Sequence, residues 1–165
     1  MTKIGVLSDT HSWLDPKVFN YFAACDEIWH AGDIGDISVA DKLADFKTFR
    51  AVYGNIDNHI IRNAYPEFLT FEVEKVKILL THIGYYGGKF YPNVYRKILT
   101  EKPKIFVCGH SHILKVNYNK NLDLLCINPG AAGQYGIQPS RTFVRFEIDG
   151  EKIQNMEVID LPLRS

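Results

Sequence analysis

Short apolar runs alternate with longer amphipathic stretches over the first two thirds of the chain. The runs are four or five residues long and rich in aliphatic and aromatic residues, which is typical of strands covered on both faces of a sheet. Five such runs occur, at residues 3–7, 27–30, 49–53, 77–81 and 105–108. They predict a set of buried strands separated by other elements.

The stretches between the runs have helical periodicity. One helix is expected within residues 15–26, with Asp15 as the N-cap and Pro16 at the first helical position. A second is expected over residues 38–46 with Ser38 as the cap. A third has its apolar positions at helical spacing; it covers residues 93–102.

After residue 112 the helical pattern gives way to a series of strands joined by polar turns. These strands are expected to form antiparallel hairpins, and they lie at residues 114–118, 122–127, 141–148 and 152–161. Residues 69–80 predict a further hairpin that turns near Glu74 and Lys75. We therefore expect an α/β fold in which two sheets pack together with helices outside, as one domain over residues 1–165.

Composition narrows the class of partner. Lysine plus arginine and aspartate plus glutamate both number 19, so no global field attracts nucleic acid or an anionic membrane. The three cysteines lack CxxC spacing, and Cys108 and Cys126 lie inside apolar runs, which indicates free thiols in a reducing compartment. No leader is visible and no apolar stretch reaches the roughly 18 residues of a membrane span. We expect a cytoplasmic protein that acts on a small substrate.

Each of the five apolar runs is followed at once by side chains of the kinds that bind metals. Because ligands bind at the carboxyl ends of strands in open α/β sheets, these side chains are expected to converge in one crevice. A single Gly-Asp or Gly-Asn pair is ordinary turn chemistry, but five strand ends in succession are not. The seven candidates are Asp9, His11, Asp33, Asn55, His82, His110 and His112.

Seven donors exceed what one metal ion requires. A tetrahedral zinc takes three or four ligands, so the set suits two divalent cations that share a carboxylate. The mixture of nitrogen and oxygen favours Mn, Fe, Zn, Co or Ni over the oxygen-preferring Mg²⁺ and Ca²⁺, and we take Mn²⁺ as the first candidate. Two such ions about 3.5–4 Å apart can bridge one water and lower its pKa toward neutrality.

The motifs D-x-H, G-D, G-N, H and G-H-x-H, in this order, resemble those of the calcineurin-like metallophosphoesterase superfamily. Their spacing is similar to that of its small single-domain bacterial and archaeal phosphodiesterase branch, from Lys3 to about Ser140. The resemblance implies a four-layer α-β-β-α sandwich of two mixed sheets with flanking helices and the metal site at the strand ends. It also implies that one ion is held by Asp9, His11, Asp33 and His112, and the other by Asp33, Asn55, His82 and His110, with Asp33 bridging.

The resemblance further implies hydrolysis of a phosphate ester, most readily a phosphodiester, by in-line attack of a metal-bridging hydroxide. Asp33, Asn55 and His82 are the residues expected to act in catalysis. Two ions, two carboxylates and a hydroxide leave one net positive charge, which one phosphodiester anion balances. The alternatives are a catalytically weak or inactive protein-binding module of the same fold, and a metal bound only for structure.

One position departs from the superfamily pattern. Many members have a histidine directly after the G-N pair, and this sequence has Ile56, which can neither donate a proton nor bind an oxyanion. Asp57 and His59 are the nearby candidates for substrate binding or proton donation. Asp57 is equally consistent with a turn residue that orients a ligand.

A second departure lies in residues 81–90, which lack the second histidine of T-H-G-H. Tyr85, Tyr86 and Lys89 stand in a glycine-containing loop beside the predicted site. They predict a lid that binds substrate, with Tyr85 and Lys89 as its contacts; the alternative is an exposed loop with packed tyrosines. Residues 128–136 predict either a nest of backbone N–H groups for an anion or a simple turn.

Other residues carry weaker expectations. His30 lies inside a strand and is interpreted as a hydrogen-bonded core histidine, whereas Arg62 and Arg141 are candidates for phosphate or partner contacts. Apolar residues at the sheet edges are compatible with a homodimer. The sequence leaves open whether the substrate is a cyclic nucleotide, a nucleic-acid end, a lipid-derived diester or a phosphomonoester.

Overall fold

Strands dominate the fold. The computed structural model describes residues 1–163, in which four helices and twelve strands follow one another. The strands are β1 (Thr2–Leu7), β2 (Glu27–His30), β3 (Thr48–Ala51), β4 (Phe68–Val73), β5 (Val76–Thr81), β6 (Tyr85–Tyr86), β7 (Lys89–Phe90), β8 (Ile105–Val107), β9 (Leu114–Asn119), β10 (Leu124–Pro129), β11 (Ser140–Asp149) and β12 (Lys152–Pro162). The helices are α1 (Lys17–Tyr21), α2 (Ile37–Phe46), α3 (His59–Ala64) and α4 (Pro92–Glu101).

Two five-stranded sheets are each partly parallel and partly antiparallel. The first has the order β12-β11-β1-β2-β3, in which β1, β2 and β3 are parallel. The second has the order β4-β5-β8-β10-β9, in which β5, β8 and β10 are parallel. The five predicted apolar runs all form parallel strands, and the three predicted hairpins, β4–β5, β9–β10 and β11–β12, are confirmed.

The sheets stack face to face, and the helices cover their outer faces. Alternate residues of β8 show the arrangement: Ile105 and Val107 lie in the core between the sheets, and Phe106 packs under α4. On the far side, α1, α2 and α3 bury Val18, Leu43 and Ile61 against the first sheet, in a cluster that includes other apolar side chains. The predicted two mixed sheets with flanking helices are confirmed.

The helix ends differ from the predictions. α1 begins at Lys17, one residue later than expected, and Asp15 Oδ1 accepts a hydrogen bond from the Lys17 N–H at 2.9 Å. For α2 the predicted cap is wrong: Asp36, not Ser38, is the N-cap, and its carboxylate accepts the Ser38 N–H at 2.8 Å. Both residues are good caps, and Asp36 prevails because helical geometry already begins at Ile37.

The three cysteines are free and buried, as expected. Burial raises the pKa of Cys108 to about 12 and that of Cys25 to about 11, so both stay protonated and unreactive at neutral pH. Among the helices of residues 1–163, none combines the length and the apolarity needed to cross a bilayer.

Candidate metal centre

The loops that follow five parallel strands meet at one edge of the two sheets. β1 leads into Asp9 and β5 leads directly into His82. Backbone hydrogen bonds hold the loops against one another: Asp9 N–H donates to the Gly32 carbonyl at 3.0 Å, and Gly109 N–H donates to the His82 carbonyl at 2.9 Å. Loops distant in sequence therefore deliver their side chains to one place.

The backbone is strained where the predicted ligands lie. Ten non-glycine residues within the described chain have a positive φ, and half of them belong to the seven candidates: Asp9, His11, Asp33, His110 and His112. Such conformations are costly for these residue types and concentrate at functional sites. Close approach also requires glycine at position 54, because a Cβ there would lie 2.1 Å from Asp33 Oδ1.

Six of the seven candidates form two groups of three, in each of which the ligand atoms lie within 4.8 Å of one another. The first group is Asp9, His11 and His112, and the second is Asp33, His82 and His110.

Within the first group, His112 Nε2 is 3.2 Å from Asp9 Oδ1. Within the second, His82 Nε2 is 3.2 Å from Asp33 Oδ2. The groups also touch each other, since His11 Nε2 is 3.5 Å from Asp33 Oδ2 and His82 Nε2 is 3.8 Å from Asp9 Oδ1. The seventh candidate, Asn55, places its Oδ1 3.0 Å from His110 Nδ1. All seven side chains therefore share one cluster.

The inner atoms of the cluster lack hydrogen bonds. Asp9 Oδ1, His11 Nε2 and His82 Nε2 are buried and have no hydrogen-bond partner within residues 1–163. A buried polar atom left unpaired costs about 1–3 kcal/mol, so three of them facing one another require an explanation. A carboxylate oxygen and imidazole nitrogens are ligands that divalent transition metals accept. The cluster fits bound cations.

The atoms of these side chains that face away from the cluster make hydrogen bonds to neighbouring residues. His82 Nδ1 lies 2.7 Å from the Ala31 carbonyl, and His112 Nδ1 lies 2.9 Å from Gln138 Oε1. Because both partners only accept, each Nδ1 must carry the proton, which leaves the Nε2 lone pair directed into the cluster. Asp9 Oδ2 accepts the Ser8 hydroxyl at 2.6 Å. These contacts orient the rings and one carboxylate for ligation.

The charges of the cluster favour cations. Burial by itself would raise the pKa of Asp9 and Asp33, but the neighbouring imidazoles lower both below the usual range of a carboxyl group. Burial would lower the pKa of His82, but its contact with Asp33 raises it. The contact with Asp9 likewise raises the pKa of His112. The two carboxylates stay ionised, and the protons on His82 and His112 that balance their charge are ones that a bound metal ion would displace.

The substrate-binding prediction at Asp57 is not supported by its contacts. Both of its carboxylate oxygens are occupied by backbone N–H groups, those of Ile34 at 3.2 Å, Gly35 at 2.8 Å and Gly54 at 2.8 Å. A carboxylate with three such donors is the turn residue of the alternative interpretation. His59 lies exposed at the start of α3, and its substrate contact stays a prediction.

The loop at residues 84–91 forms a small ribbon of β6 and β7. Tyr85 stacks on Phe90 with ring centroids 4.4 Å apart and meets the edge of Phe106, and burial raises its pKa above the usual range. The packed-tyrosine alternative therefore holds for Tyr85, which was expected to contact substrate. Tyr86 and Lys89 are exposed, and the substrate contact of Lys89 stays a prediction.

Two further interpretations are resolved by burial. Arg141 is fully buried and pairs with the carboxylate of Asp15, which is not the environment of the phosphate or partner contact that was considered. His30 is a core histidine, as expected: it is fully buried, lies 3.0 Å from the Thr10 hydroxyl, and accepts the Gly32 N–H through Nδ1 at 3.1 Å. Burial lowers the pKa of His30 to about 3, which keeps it neutral.

Sequence reasoning missed two residues of the site. Gln138 is buried and orients His112, and Tyr135 stacks on the His11 ring at 4.8 Å. Tyr135 lies within the segment 128–136, whose composition indicated a turn or a nest, and Gln138 follows it. Nothing in that composition distinguishes these two side chains from ordinary loop residues.

The model of the calcineurin-like phosphoesterase superfamily domain matches residues 2–151. The chain belongs to this superfamily. A relative from Methanocaldococcus jannaschii, named a probable metallophosphoesterase, is 32% identical over 138 residues, which cover 78% of this chain and 67% of the relative. A second, from Methanothermobacter thermautotrophicus, carries the same name and is 28% identical over 160 residues, 91% of this chain and 88% of the relative.

Two solved structures of other proteins share the fold of this chain. One described as a novel archaeal phosphodiesterase has a TM-score of 0.76 at 22% identity and covers 96% of this chain and 99% of its own. Vps29 of Entamoeba histolytica complexed with Zn²⁺ has a TM-score of 0.75 at 17% identity and covers 98% of this chain and 99% of its own. At these identities the likeness establishes the architecture alone.

Proposed function

We propose that this calcineurin-like phosphoesterase hydrolyses a phosphodiester with two divalent cations held at the strand-end cluster. Mn²⁺ is the first candidate, with Fe, Zn, Ni and Co as alternatives. The observation that carries the proposal is the set of buried, unpaired atoms of Asp9, His11 and His82, which face one another in two groups of ligand type. The Zn²⁺ complex of Vps29, a protein of the same fold, supports metal binding on this architecture.

The proposed ligands divide as the two groups do. Asp9, His11 and His112 hold one ion, His82 and His110 hold the other, and two more residues complete the sets. Asp33 serves both, which is supported by its oxygen lying 3.5 Å from His11 Nε2 and 3.2 Å from His82 Nε2. Asn55, whose amide oxygen is beside His110, completes the second set.

When bound, two divalent cations would supply an acidified water and neutralise the charge of the phosphate oxygens. The chain's own residues prepare the site: Asp9 and Asp33 set its negative charge, and His82 and His112 are fixed in one tautomer. In the overall reaction water adds to phosphorus, one P–O bond breaks, and the departing alcohol takes a proton. Asp33, Asn55 and His82 are the residues that we propose for catalysis.

No strong proton donor stands beside the ligands at the position that the superfamily usually fills. Ile56 is apolar, and the Asp57 carboxylate is occupied by three backbone N–H groups. Departure of the alcohol is therefore expected to depend on its own acidity, which favours substrates with good leaving groups. The charge of the site favours a singly charged diester over a doubly charged monoester.

A chelation experiment tests the proposal. Protein stripped of metal should not hydrolyse bis(para-nitrophenyl) phosphate, and added Mn²⁺ should restore turnover. Turnover that survives thorough chelation, or none with any of the five metals, would contradict the enzyme. If the folded protein has no turnover but binds a protein partner, and the Asp33→Ala variant binds the same partner, the binding module would be favoured. Unfolding on chelation without hydrolysis in the loaded state would favour a structural metal.

Three coarser expectations accompany this function. One domain over residues 1–165 is proposed, and the core shared between the sheets supports it for residues 1–163; residues 164 and 165 lie outside the described part. A cytoplasmic location is supported by the three free, buried thiols. A homodimer is the expected oligomeric state, and light scattering of the purified protein tests it.

A further inference from the structure

Two grooves open beside the candidate metal cluster, and each borders a different ligand group. The arginine groove has a volume of about 330 Å³ and is lined by Tyr53, Asn55, Arg62, Phe68, His82 and Tyr91, among others. The isoleucine groove has a volume of about 430 Å³ and is lined by His112, Ile113, Leu114, Ile137, Gln138 and Pro139, among others. The two grooves share no lining residue.

Arg62 is fixed in the arginine groove. Its Nε donates to the Asp57 carbonyl at 2.7 Å and its Nη2 donates to the Asn55 carbonyl at 3.2 Å. The guanidinium also lies over the Tyr53 ring, 4.6 Å from the centroid. An exposed arginine that is held on three sides has already lost most of its rotamer freedom, so binding through it loses little further entropy.

The charge of Arg62 has no carboxylate partner within residues 1–163, and its Nη1 makes no hydrogen bond there. The arginines at 50, 141 and 145 each pair with an acidic side chain. Glu67 lines the same groove without forming an ion pair with Arg62. The groove thus offers fixed N–H donors and a separate carboxylate acceptor, the combination that hydroxyl groups satisfy.

The isoleucine groove has the opposite character. Ile113 is 66% exposed and Ile137 is fully exposed, although both stand in loops that carry the site. Large aliphatic side chains that are exposed in this way lose their contact with water when an apolar ligand covers them, and the gain is about 25 cal/mol per Å² of apolar surface buried. Its charged lining residue is Asp160, which disfavours an anionic ligand.

We propose that the substrate is an asymmetric phosphodiester, with a hydroxylated arm in the arginine groove and an apolar arm in the isoleucine groove. A diester carries two arms, and each groove borders a different ligand group of the cluster that would hold its phosphate. Arg62 binds the hydroxylated arm, and Ile113 and Ile137 bind the apolar arm. This inference rests on the proposed hydrolysis and adds the class of substrate.

Kinetics with paired substrates test the arginine groove. Glyceryl para-nitrophenyl phosphate and butyl para-nitrophenyl phosphate have the same leaving group and arms of similar length. We expect the native protein to have the higher kcat/KM for the glyceryl ester, by about tenfold, the effect of one hydrogen bond to a charged group. Arg62→Met should erase the preference by raising KM for the glyceryl ester, and Arg96→Met, an exposed arginine on α4, should keep it.

Because Arg62 also contacts the Asn55 carbonyl, a calorimetric Mn²⁺ titration of Arg62→Met separates two effects. Unchanged Mn²⁺ affinity with a lost preference supports substrate binding by Arg62. Weakened Mn²⁺ affinity with the preference intact would overturn it, since the residue would then only position Asn55. Arg62→Lys, which retains the charge but not the fork of donors, should recover part of the preference.

Methyl NMR tests the isoleucine groove without turnover. A phosphonate in which CH₂ replaces the ester oxygen of the apolar arm should shift the methyl signals of Ile113 and Ile137 in the metal-loaded protein. Ile137→Ser should weaken its binding several-fold, and Leu99→Ser, at an exposed position on α4, should not. Shifts confined to Ile56 and Ile60, two exposed residues that do not line this groove, would overturn the assignment.

These experiments distinguish a failure of the two-arm substrate proposal from a failure of the proposed hydrolysis. If no diester is hydrolysed with any metal, the proposed hydrolysis fails, and the methyl shifts still report whether the groove binds an apolar arm. If both esters are hydrolysed equally and Arg62→Met changes nothing, the hydrolysis stands and the asymmetry is wrong.

Discussion

Two pairs of buried aspartates lie in and beside the strand-end loops, and they differ in what surrounds them. Asp9 and Asp33 face imidazole nitrogens, and one oxygen of Asp9 has no hydrogen bond. Asp15 and Asp57 are just as buried, but Asp15 pairs with Arg141 and Asp57 accepts three backbone N–H groups. Burial is common to both pairs, so only the partners distinguish a proposed metal-binding carboxylate from a structural one.

The two pairs of aspartates should also differ in what they contribute to the stability of the fold. A buried carboxylate whose oxygens accept N–H groups stabilises the fold, whereas the unpaired oxygen of Asp9 and the repulsion between Asp9 and Asp33 offset what their imidazole contacts contribute until a cation binds. Asp9 and Asp33 should therefore matter for metal binding and little for the stability of the metal-free protein. Asp15 and Asp57 should behave in the opposite way.

The largest effect is expected for Asp33→Asn. Turnover should fall to the level of the metal-free protein, because the change removes a charged ligand that serves both proposed ions. The free energy of unfolding of the metal-free protein should change little, since Asn retains an acceptor for the Ile56 N–H and relieves repulsion from Asp9, which offsets the lost attraction to His82. Urea titrations with and without Mn²⁺ measure both.

The native protein should gain about 2.7 kcal/mol of stability at a free Mn²⁺ concentration one hundred times Kd, and Asp33→Asn should gain far less. Asp41→Asn, an exposed position on α2, serves as the control and should behave as the native protein. A large loss of metal-free stability in Asp33→Asn would place Asp33 with the structural pair and contradict the comparison.

Asp57→Ala should have the next largest effect, on stability. It leaves the N–H groups of Ile34, Gly35 and Gly54 without their acceptor, and each unsatisfied buried donor costs about 1–3 kcal/mol. We expect a loss of roughly 3 kcal/mol or more in urea denaturation of the metal-free protein. Asp57→Asn, which keeps one acceptor oxygen, should lose less. Full stability with reduced turnover would instead restore the predicted role of Asp57 in substrate binding.

Asp15→Asn should have a smaller effect that depends on pH. Burial alone would raise the pKa of Asp15, but the Lys17 N–H and the Arg141 guanidinium lower it. A carboxyl whose pKa is lowered by folding contributes stability above its unfolded value, near 3.9, and loses that contribution as the pH falls through the folded value. Removing the charge from a buried pair costs about 3 kcal/mol, less here because Arg141 keeps the Pro162 carbonyl.

The difference in the free energy of unfolding between the native protein and Asp15→Asn should be complete above about pH 5 and shrink below about pH 4. Guanidinium chloride denaturation at a series of pH values measures it. A difference that is constant down to pH 2 would mean that the ion pair with Arg141 contributes nothing and that packing accounts for the loss.

The fold could be predicted because parallel strands buried on both faces must be apolar in continuous runs, and such runs are visible without a structure. Each predicted ligand directly follows one of those runs, as His82 follows β5, so topology alone brings the seven side chains together. Helix ends were less predictable. Asp36 and Ser38 are both good N-caps two residues apart, and the sequence alone does not indicate at which residue the helix begins.

Roles that depend on partners distant in sequence could not be predicted. The donors to Asp57 include Ile34, which is 23 residues earlier, and no local pattern connects the two. Tyr85 looked like a binding residue because its loop follows a ligand, but its ring packs on Phe90 and Phe106. Gln138 carries no periodicity and lies 26 residues after the histidine that it orients.

The smallest effect is expected for Gln138→Ala, a change that tests how one imidazole of the cluster, that of His112, is oriented. Gln138 Oε1 contacts His112 Nδ1, while its Nε2 donates to the Tyr135 carbonyl at 2.8 Å. Without the acceptor, His112 is free to rotate or to change tautomer, and we expect Mn²⁺ affinity and kcat/KM to fall about tenfold. Gln138→Glu, which still accepts from Nδ1, should recover most of the Mn²⁺ affinity. If Glu and Ala reduce the affinity equally while both lower the free energy of unfolding, Gln138 only packs the loop, and His112 is oriented by Asp9 alone.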